Sequence, residues 1–455
     1  MTIANINRFI QLLSTSFDAL KAQVSDQQVE HMAVLIHSAM ESPRRHYHCS
    51  DHALHMCEGM NPRQVLAASF HDIVYIQLDD GFPSRVAYLL NPVARRQGDE
   101  MLLRDIAPGD SALQLCLDIF GFQPGQALPL LRGMNEFLSA VVATRLLQPH
   151  LSQADLIAII ACIEATVPFR APEADGRDCS QVLAERVRAQ ARMCLGGSDA
   201  AQIEAFVAGV MADAVSMANR DVGGFAEPNP ARFVSATWLL IEESNAPLAS
   251  VGVYTLQDYR EALSRMQGFL DSLKAERVFS RYAGQPSDTE FARLTAAAGT
   301  NIGFATAFLR LKITSISIIE ALARATGGNG PVSMFLGDIR SSHGKPERIE
   351  DYLPTGPDTP GLDAQILQVL EKGRPEDSKN DLTISPLTAY MYRCLGPAAC
   401  DTALANARRM VANEITPLAF LETLAPAMVG SIIDACARIA ISRGERLQLL
   451  KAQLP

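Results

Sequence analysis

Imidazole all but disappears from this 455-residue chain after residue 71, where only His150 and His343 remain. The C-terminal half therefore offers no material for an imidazole-based metal centre of its own. A surplus of positive charge is also missing: 40 Lys and Arg stand against 50 Asp and Glu, a formal charge of −10 with a pI near 5.5. No global positive field draws the chain to nucleic acid polymers or to an anionic membrane. The nine cysteines contain no CxxC pair and no framework spacing, which excludes a disulfide scaffold and fits reduced thiols in a cytoplasmic protein. Cys162, within Ile159-Ile160-Ala161-Cys162-Ile163, shows the prevailing use, a small core hydrophobe. Long uncharged apolar runs are absent too. The longest, Ile302 to Ala323, is broken by Arg310, Lys312 and Glu320 and reads as a buried helix rather than a membrane span. Met1-Thr2-Ile3-Ala4-Asn5 lacks the basic region and apolar core of a secretory leader, again pointing to the cytoplasm.

Alternating strand patterns and hairpin dipeptides are scarce, whereas helical periodicity runs nearly throughout, so the expected fold class is all-α. Ile6, Phe9, Ile10, Leu13 and Phe17 recur at three-to-four spacing, and Val29, Met32, Ala33, Leu35 and Ile36 continue the pattern up to Ser42-Pro43. A helix is expected from about Pro62 to Ile76, stopped by Asp79-Asp80-Gly81-Phe82-Pro83. Further helices are expected near 85–95, 98–105, 111–119, 128–148, 152–166, 178–194 and 199–220. The length calls for two domains. Gly223-Gly224-Phe225-Ala226-Glu227-Pro228-Asn229-Pro230 combines stop, turn and restart signals, placing domains at 1–226 and 230–455. In the second, Thr255-Leu256-Gln257-Asp258 caps a helix to about Phe279, and another spans about 287–325. Residues 341–379, rich in Pro, Gly and charge, read as a surface loop around a short helix near 362–372. The second domain carries no chemical motif, and its apolar helical stretches, Ile302 to Ala323 and Met428 to Ile441, lead us to expect docking on the first domain and a homodimer interface.

What the chain does have is concentrated. Seven of nine histidines fall between residues 31 and 71, and the densest stretch reads Arg45-His46-Tyr47-His48-Cys49-Ser50-Asp51-His52 with His55, then Phe70-His71-Asp72-Ile73. His48 and His52 stand four apart, one turn on a helix face. His71-Asp72 follows Val65-Leu66-Ala67-Ala68-Ser69-Phe70 and precedes Ile73-Val74, so a carboxylate sits within an apolar helix, where burial without a partner is expensive. A metal, or a cation such as Arg44 or Arg45, would relieve that cost, and the clustered imidazoles favour the metal. A mixed set of nitrogen and oxygen donors suits a divalent Mn, Fe, Zn, Ni or Mg ion.

Tyr47-His48-x3-His52 followed by Phe70-His71-Asp72-Ile73-Val74-Tyr75 resembles the HD superfamily of metal-dependent phosphohydrolases, in particular its small bacterial members and, more remotely, the cyclic-nucleotide phosphodiesterases. The resemblance covers roughly the first half of the chain. It departs from the pattern at Cys49, where an Asn is usual, and at Leu78-Asp79-Asp80-Gly81, where an Asn-Glu pair is usual. It implies an all-helical domain in which His52, His71 and Asp72 are metal ligands and His48 is the general acid. The last ligand it implies is an Asp on a later helix, matched by Asp221, with Asp213 as the competitor two turns earlier.

Other groups join the expected site. Glu164, at the end of an apolar helix, is assigned either a water or a second metal, or else a surface or capping role. Arg170 and Arg220, and Arg45 within the motif, carry planar forks that match phosphate oxygens, against the ordinary use of arginine in surface ion pairs. Cys49 reads as a packing residue. The expected function is hydrolysis of a phosphomonoester or phosphodiester of a small, nucleotide-like substrate. The competing expectation is a degenerate HD fold that senses a ligand. A third is a di-metal oxygenase, for which Glu164 and Asp79 would have to supply ligands.

Overall fold

A computed structural model describes residues 3–130, 132–197, 199–339, 346–357, 359–375 and 381–454. The fold is all-α, with twenty helices among the described residues and one small sheet. Contacts divide the chain into two compact units: Met1–Ala226 with Lys274–Gly299, and Glu227–Leu273 with Thr300–Pro455. The division at 226 falls within the turn-rich segment, but the single cut expected there is corrected by the return of Lys274–Gly299 to unit 1. A reciprocal pair of hydrogen bonds anchors that return: Asn219 Nδ2 donates to the Ser280 carbonyl at 2.8 Å, and the Ser280 amide donates to Asn219 Oδ1 at 2.7 Å.

Unit 1 contains α1 (Asn5–Ala19), α2 (Asp26–Met40), α3 (Ser50–Met56), α4 (Pro62–Phe70), α5 (Ile76–Asp79), α6 (Ala87–Leu90), α7 (Ser111–Phe120), α8 (Met134–Leu147), α9 (Gln153–Ala165), α10 (Cys179–Cys194) and α11 (Ala200–Asp221). Helix α9, apolar on every side, is buried continuously from Asp155 to Ala165 and is packed by α4, α7, α8, α10 and α11. An all-round apolar helix can only be a core helix, and here it is the one the others surround. The helix expected over 98–105 is instead a hairpin. Strands β1 (Ala94–Gln97) and β2 (Glu100–Leu103) pair antiparallel across Gly98-Asp99, with β3 (Ala127–Leu128) beside β2. Gly98 takes φ of 62°, which a two-residue hairpin turn demands and a helix forbids.

The helix expected over Pro62–Ile76 ends at Phe70. Asn61 caps its start, with Gln64 completing a capping box and Pro62 at the first position. Its end is set by side chains that take the backbone away from helical partners. Arg45 Nη1 donates to the Asp72 carbonyl at 2.6 Å and Nη2 to that of Ile73 at 3.4 Å. On the other side the Val74 amide donates to Ser139 Oγ and the Ile76 amide to Asn135 Oδ1, each at 3.1 Å. Arg45 also donates from Nη1 to the His48 carbonyl at 3.4 Å, and from Nε and Nη2 to Asp79 at 3.2 and 2.7 Å. His48 itself precedes α3, so it is not on one helix with His52 as the spacing suggested.

Unit 2 contains α12 (Pro230–Ser244), α13 (Leu256–Ser272), the greater part of α14 (Asp288–Thr326), α15 (Val332–Leu336), α16 (Ala364–Lys372), α17 (Pro386–Val411), α18 (Pro417–Glu422), α19 (Pro426–Ile439) and α20 (Gly444–Gln453). Helix α13 stops well before Phe279, whereas α14 runs uninterrupted and α16 matches the short helix expected near 362–372. His343 and the loop segments 341–345 and 376–379 lie outside the described residues. By length and composition α11 and α14 could cross a membrane, but 67% of the apolar window of α14 is buried within the fold, as in a core helix.

Removing Arg45 should strand a buried carboxylate and three carbonyls. Arg45→Ala is expected to lower unfolding free energy by about 3–5 kcal/mol, whereas Arg44→Ala, whose partner Asp80 is 80% exposed, should cost under about 1 kcal/mol. Urea denaturation of the two variants checks this, and equal losses would refute the bracing role.

Candidate metal centre

Three elements converge on one point. His52 projects from α3, His71 caps the end of α4 with Asp72 beside it in the turn, and Asp221 closes α11. Donor atoms of His52, His71 and Asp72 all lie within 4.8 Å of one another, a spacing that can hold a metal ion. His71 Nε2 stands 2.9 Å from Asp72 Oδ2 and 3.6 Å from Asp221 Oδ1; His52 Nε2 stands 3.6 and 3.1 Å from the same two oxygens. Asp213, the competitor for the last position, is two turns away on α11 and accepts a hydrogen bond from Asn61 Nδ2 at 2.8 Å.

His71 Nδ1 lies 2.8 Å from the Ala68 carbonyl, and because a carbonyl can only accept, this nitrogen carries the proton. In the neutral ring Nε2 then bears a lone pair. That atom is buried and makes no hydrogen bond of acceptable geometry, despite Asp72 Oδ2 at 2.9 Å. A buried nitrogen 2.9 and 3.6 Å from the oxygens of two carboxylates can share a cation with them, and the carbonyl behind it is the usual support for a ligating imidazole. The donor set therefore fits a divalent ion.

Without an ion, charge favours a proton on His71 Nε2, which a metal would have to displace. Burial works against a charged His71, yet Asp72 and Asp221 outweigh it and hold the ring well above its ordinary pKa. Burial works against the Asp72 carboxylate as well, and His71, His48 and His52 nevertheless hold it far below the usual range. Asp221 is brought to about 2 against the same penalty, chiefly by His52 and His71. Both acids are thus ionised, as ligands must be.

Around the cluster stand aromatic walls. Tyr47 lies 5.2 Å from His52 and 5.0 Å from His48, ring centroid to centroid, and Tyr75 lies 4.7 Å from His48. The His48 ring is 6.0 Å from that of His52, beside the cluster. Cys49, expected to be a packing residue, is the half-buried residue preceding α3, and all nine cysteines are free.

Three expected contributors are placed differently. Arg45 has a fully buried side chain committed to Asp79 and to backbone carbonyls, so it braces the turn rather than holding a phosphate. Glu164 and Arg170 satisfy each other: Nη1 meets Oε1 at 2.6 Å and Nη2 meets Oε2 at 3.1 Å, with Arg186 3.6 Å from Oε1. A buried carboxylate saturated by two guanidinium groups does not join the metal cluster, which corrects the role expected of Glu164. Arg170 is correspondingly tied down: burial opposes its charge, but Glu164 raises its pKa further. Arg220 reaches the His55 carbonyl at 3.5 Å.

Sequence reasoning missed Glu136, on α8. Burial pushes its carboxyl up to about 7; its own backbone N–H opposes the rise, and the Asp72 and Asp221 charges add to it. It also missed Asn135 and Ser139, which hold the turn after His71-Asp72. Two polar residues four apart on an otherwise buried helix were the available signal.

Compared with models of known protein families, with curated proteins and with solved structures, the chain returns no match.

Two outcomes are expected. Protein purified without added ions should carry a divalent metal in stoichiometric amount, and the double variant His71→Ala, Asp72→Ala should lose it; elemental analysis that finds metal retained refutes the ligand set. In metal-free protein, Glu136 is raised from an ordinary 4.5 to about 7, so the stability linked to its proton is complete below pH 4.5 and fades as pH rises through 7. The melting temperature of Glu136→Gln should therefore gain on the parent between pH 5 and 8. A gap independent of pH would show that Glu136 titrates normally.

Proposed function

We propose that the protein is a metal-dependent phosphohydrolase of the HD type, acting on a phosphomonoester or phosphodiester of a small, nucleotide-like substrate. The observation that supports this most is the division of labour among the histidines. His52 and His71 join Asp72 within 4.8 Å, and the His48 ring stands beside them, 6.0 Å from that of His52. A cluster serving only to hold the fold needs no imidazole next to it.

His52, His71, Asp72 and Asp221 would hold the ion. Two nitrogens and two carboxylates suit Mn, Fe, Zn, Ni or Mg. A divalent ion so bound supplies Lewis-acid polarisation of a phosphoryl oxygen and lowers the pKa of water. The protein's own groups do the rest. His48 donates a proton to the leaving oxygen, positioned by Tyr47, Tyr75 and the Arg45 hydrogen bond to its carbonyl. The Ala68 carbonyl fixes which nitrogen of His71 faces the cluster. Glu136, near 7, is a second group able to exchange a proton close to the Asp72 and Asp221 charges at neutral pH.

A second reading, a ligand-sensing protein on the same scaffold, draws on the internal pairing of Arg45, Glu164 and Arg170, three groups expected to meet substrate. A phosphate-release screen over nucleotides and sugar phosphates separates the two. With an active substrate in hand, His48→Ala should reduce turnover by roughly two to four orders of magnitude while the metal stays bound. Unchanged turnover removes His48 from the mechanism, and loss of metal makes it a ligand.

A further inference from the structure

Unit 2 buries an ammonium group that the proposed chemistry does not use. Lys312, on α14, is 5% exposed, and its Nζ lies 5.4 Å from the ring centroids of both Trp238 and Tyr259. Among the described residues its nearest carboxylate oxygen, Asp381 Oδ2, is 3.8 Å away, beyond hydrogen-bonding reach. That same oxygen already accepts the Tyr259 hydroxyl at 2.7 Å and stands 3.6 Å from Arg374 Nη2. Arg374 is buried with its guanidinium carbon 4.0 Å from the Trp238 centroid; Nη2 donates to the Leu382 carbonyl, and among the described residues Nε and Nη1 meet no acceptor. One carboxylate oxygen thus serves two buried cations and a phenol. Glu242, which with Asp381 and burial keeps the Tyr254 phenol protonated, lines no part of the space in front of Lys312.

That space is a cavity of about 50 Å³, walled by Ile316, Val332, Leu382 and other apolar residues, into which Lys312 brings its charge and Ser315, Ser385 and Thr388 their hydroxyls. Ser315 Oγ donates to the Lys312 carbonyl at 3.0 Å and so accepts from Thr388 Oγ1 at 2.8 Å, whereas Ser385 Oγ is buried without a partner among the described residues. Two carboxylates also line the cavity, Asp381 beside Lys312 and Glu350 with Arg348 3.9 Å away, so an anion must sit on the ammonium side, away from both. We propose that this cavity binds a small free oxyanion of the phosphate or sulfate kind, held by the Lys312 ammonium and the Ser385 hydroxyl. The volume admits a few water molecules or one tetrahedral anion, and nothing the size of a nucleotide. An anion there gives the ammonium and the orphaned hydroxyl the acceptor that each lacks. It also favours the charged lysine, which burial, reinforced by Arg374, otherwise weakens. The inference rests on unit 2 alone and is independent of the activity proposed above.

Calorimetric titration of the full-length protein with inorganic phosphate, against chloride at matched ionic strength, tests it. A saturable single site is expected. Lys312→Met should weaken it about 10- to 100-fold, the scale of a lost hydrogen bond to a charged group, and Ser385→Ala should weaken it less. The His71→Ala, Asp72→Ala protein should bind phosphate as before, and glycerol phosphate should be rejected by that same protein. Absence of a saturable site overturns the proposal, as does undiminished affinity in Lys312→Met, which would leave water as the occupant. Should that variant not fold, undiminished affinity in Ser385→Ala does so. Loss of binding in the metal-site variant overturns it by placing the ion at the metal centre, and equal binding of glycerol phosphate overturns the assignment to a free ion.

Discussion

All five N–H donors of the Arg45 guanidinium are in use: two on Asp79, and three on the carbonyls of His48, Asp72 and Ile73. These partners come from both halves of the histidine cluster, the loop before α3 and the turn after α4. A carbonyl in a helix belongs to the amide four residues on, so a cation that claims it ends the helix there. Arg45 therefore does two things with one group. It stops α4 just where His71 and Asp72 must leave the helical path, and it fastens the strand of chain bearing His48 to that break. Ser139 and Asn135 complete the fixation from the amide side. Without that break the turn would continue as helix and carry Asp72 round with it.

The class of fold was legible because apolar spacing in α1, α2 and α11 is regular and the burial follows it. Where the reading failed, local chemistry outweighed periodicity. Ala94 to Leu103 carries enough apolar residues to pass for a helix, but Gly98-Asp99 is a hairpin dipeptide and Gly98 adopts a left-handed backbone. Residues 274–299 gave no sign that they rejoin unit 1, because the bonds that bring them back join Asn219 and Ser280 across a long stretch of sequence.

The candidate site was legible in its donors and not in its supports. His71 and Asp72 stand out within an apolar run and the histidines within a chain that has few others, whereas Asp221 was reached only through the resemblance. Whether an arginine faces a ligand or a neighbour is not, since the same planar fork fits phosphate and carboxylate alike. Arg45 chose Asp79, and Arg170 chose Glu164. Glu136 was invisible for the opposite reason: a lone Glu in the first turn of a helix is ordinary, and only its position near the Asp72 and Asp221 charges makes it unusual.

The return of Lys274–Gly299 also bears on the order in which the molecule can be made. Translation delivers α1 to α11 first, yet the contacts that secure the last turn of α11, two residues from Asp221, arrive only after the opening helices of unit 2 have emerged. Domains usually fold as they appear. Here the first unit must wait, with the end of α11 lacking its Ser280 partner while α12 and α13 are already outside the ribosome with no α14 to cover them. A nascent chain of this kind completes the geometry of its candidate metal site late, only once residue 280 has emerged.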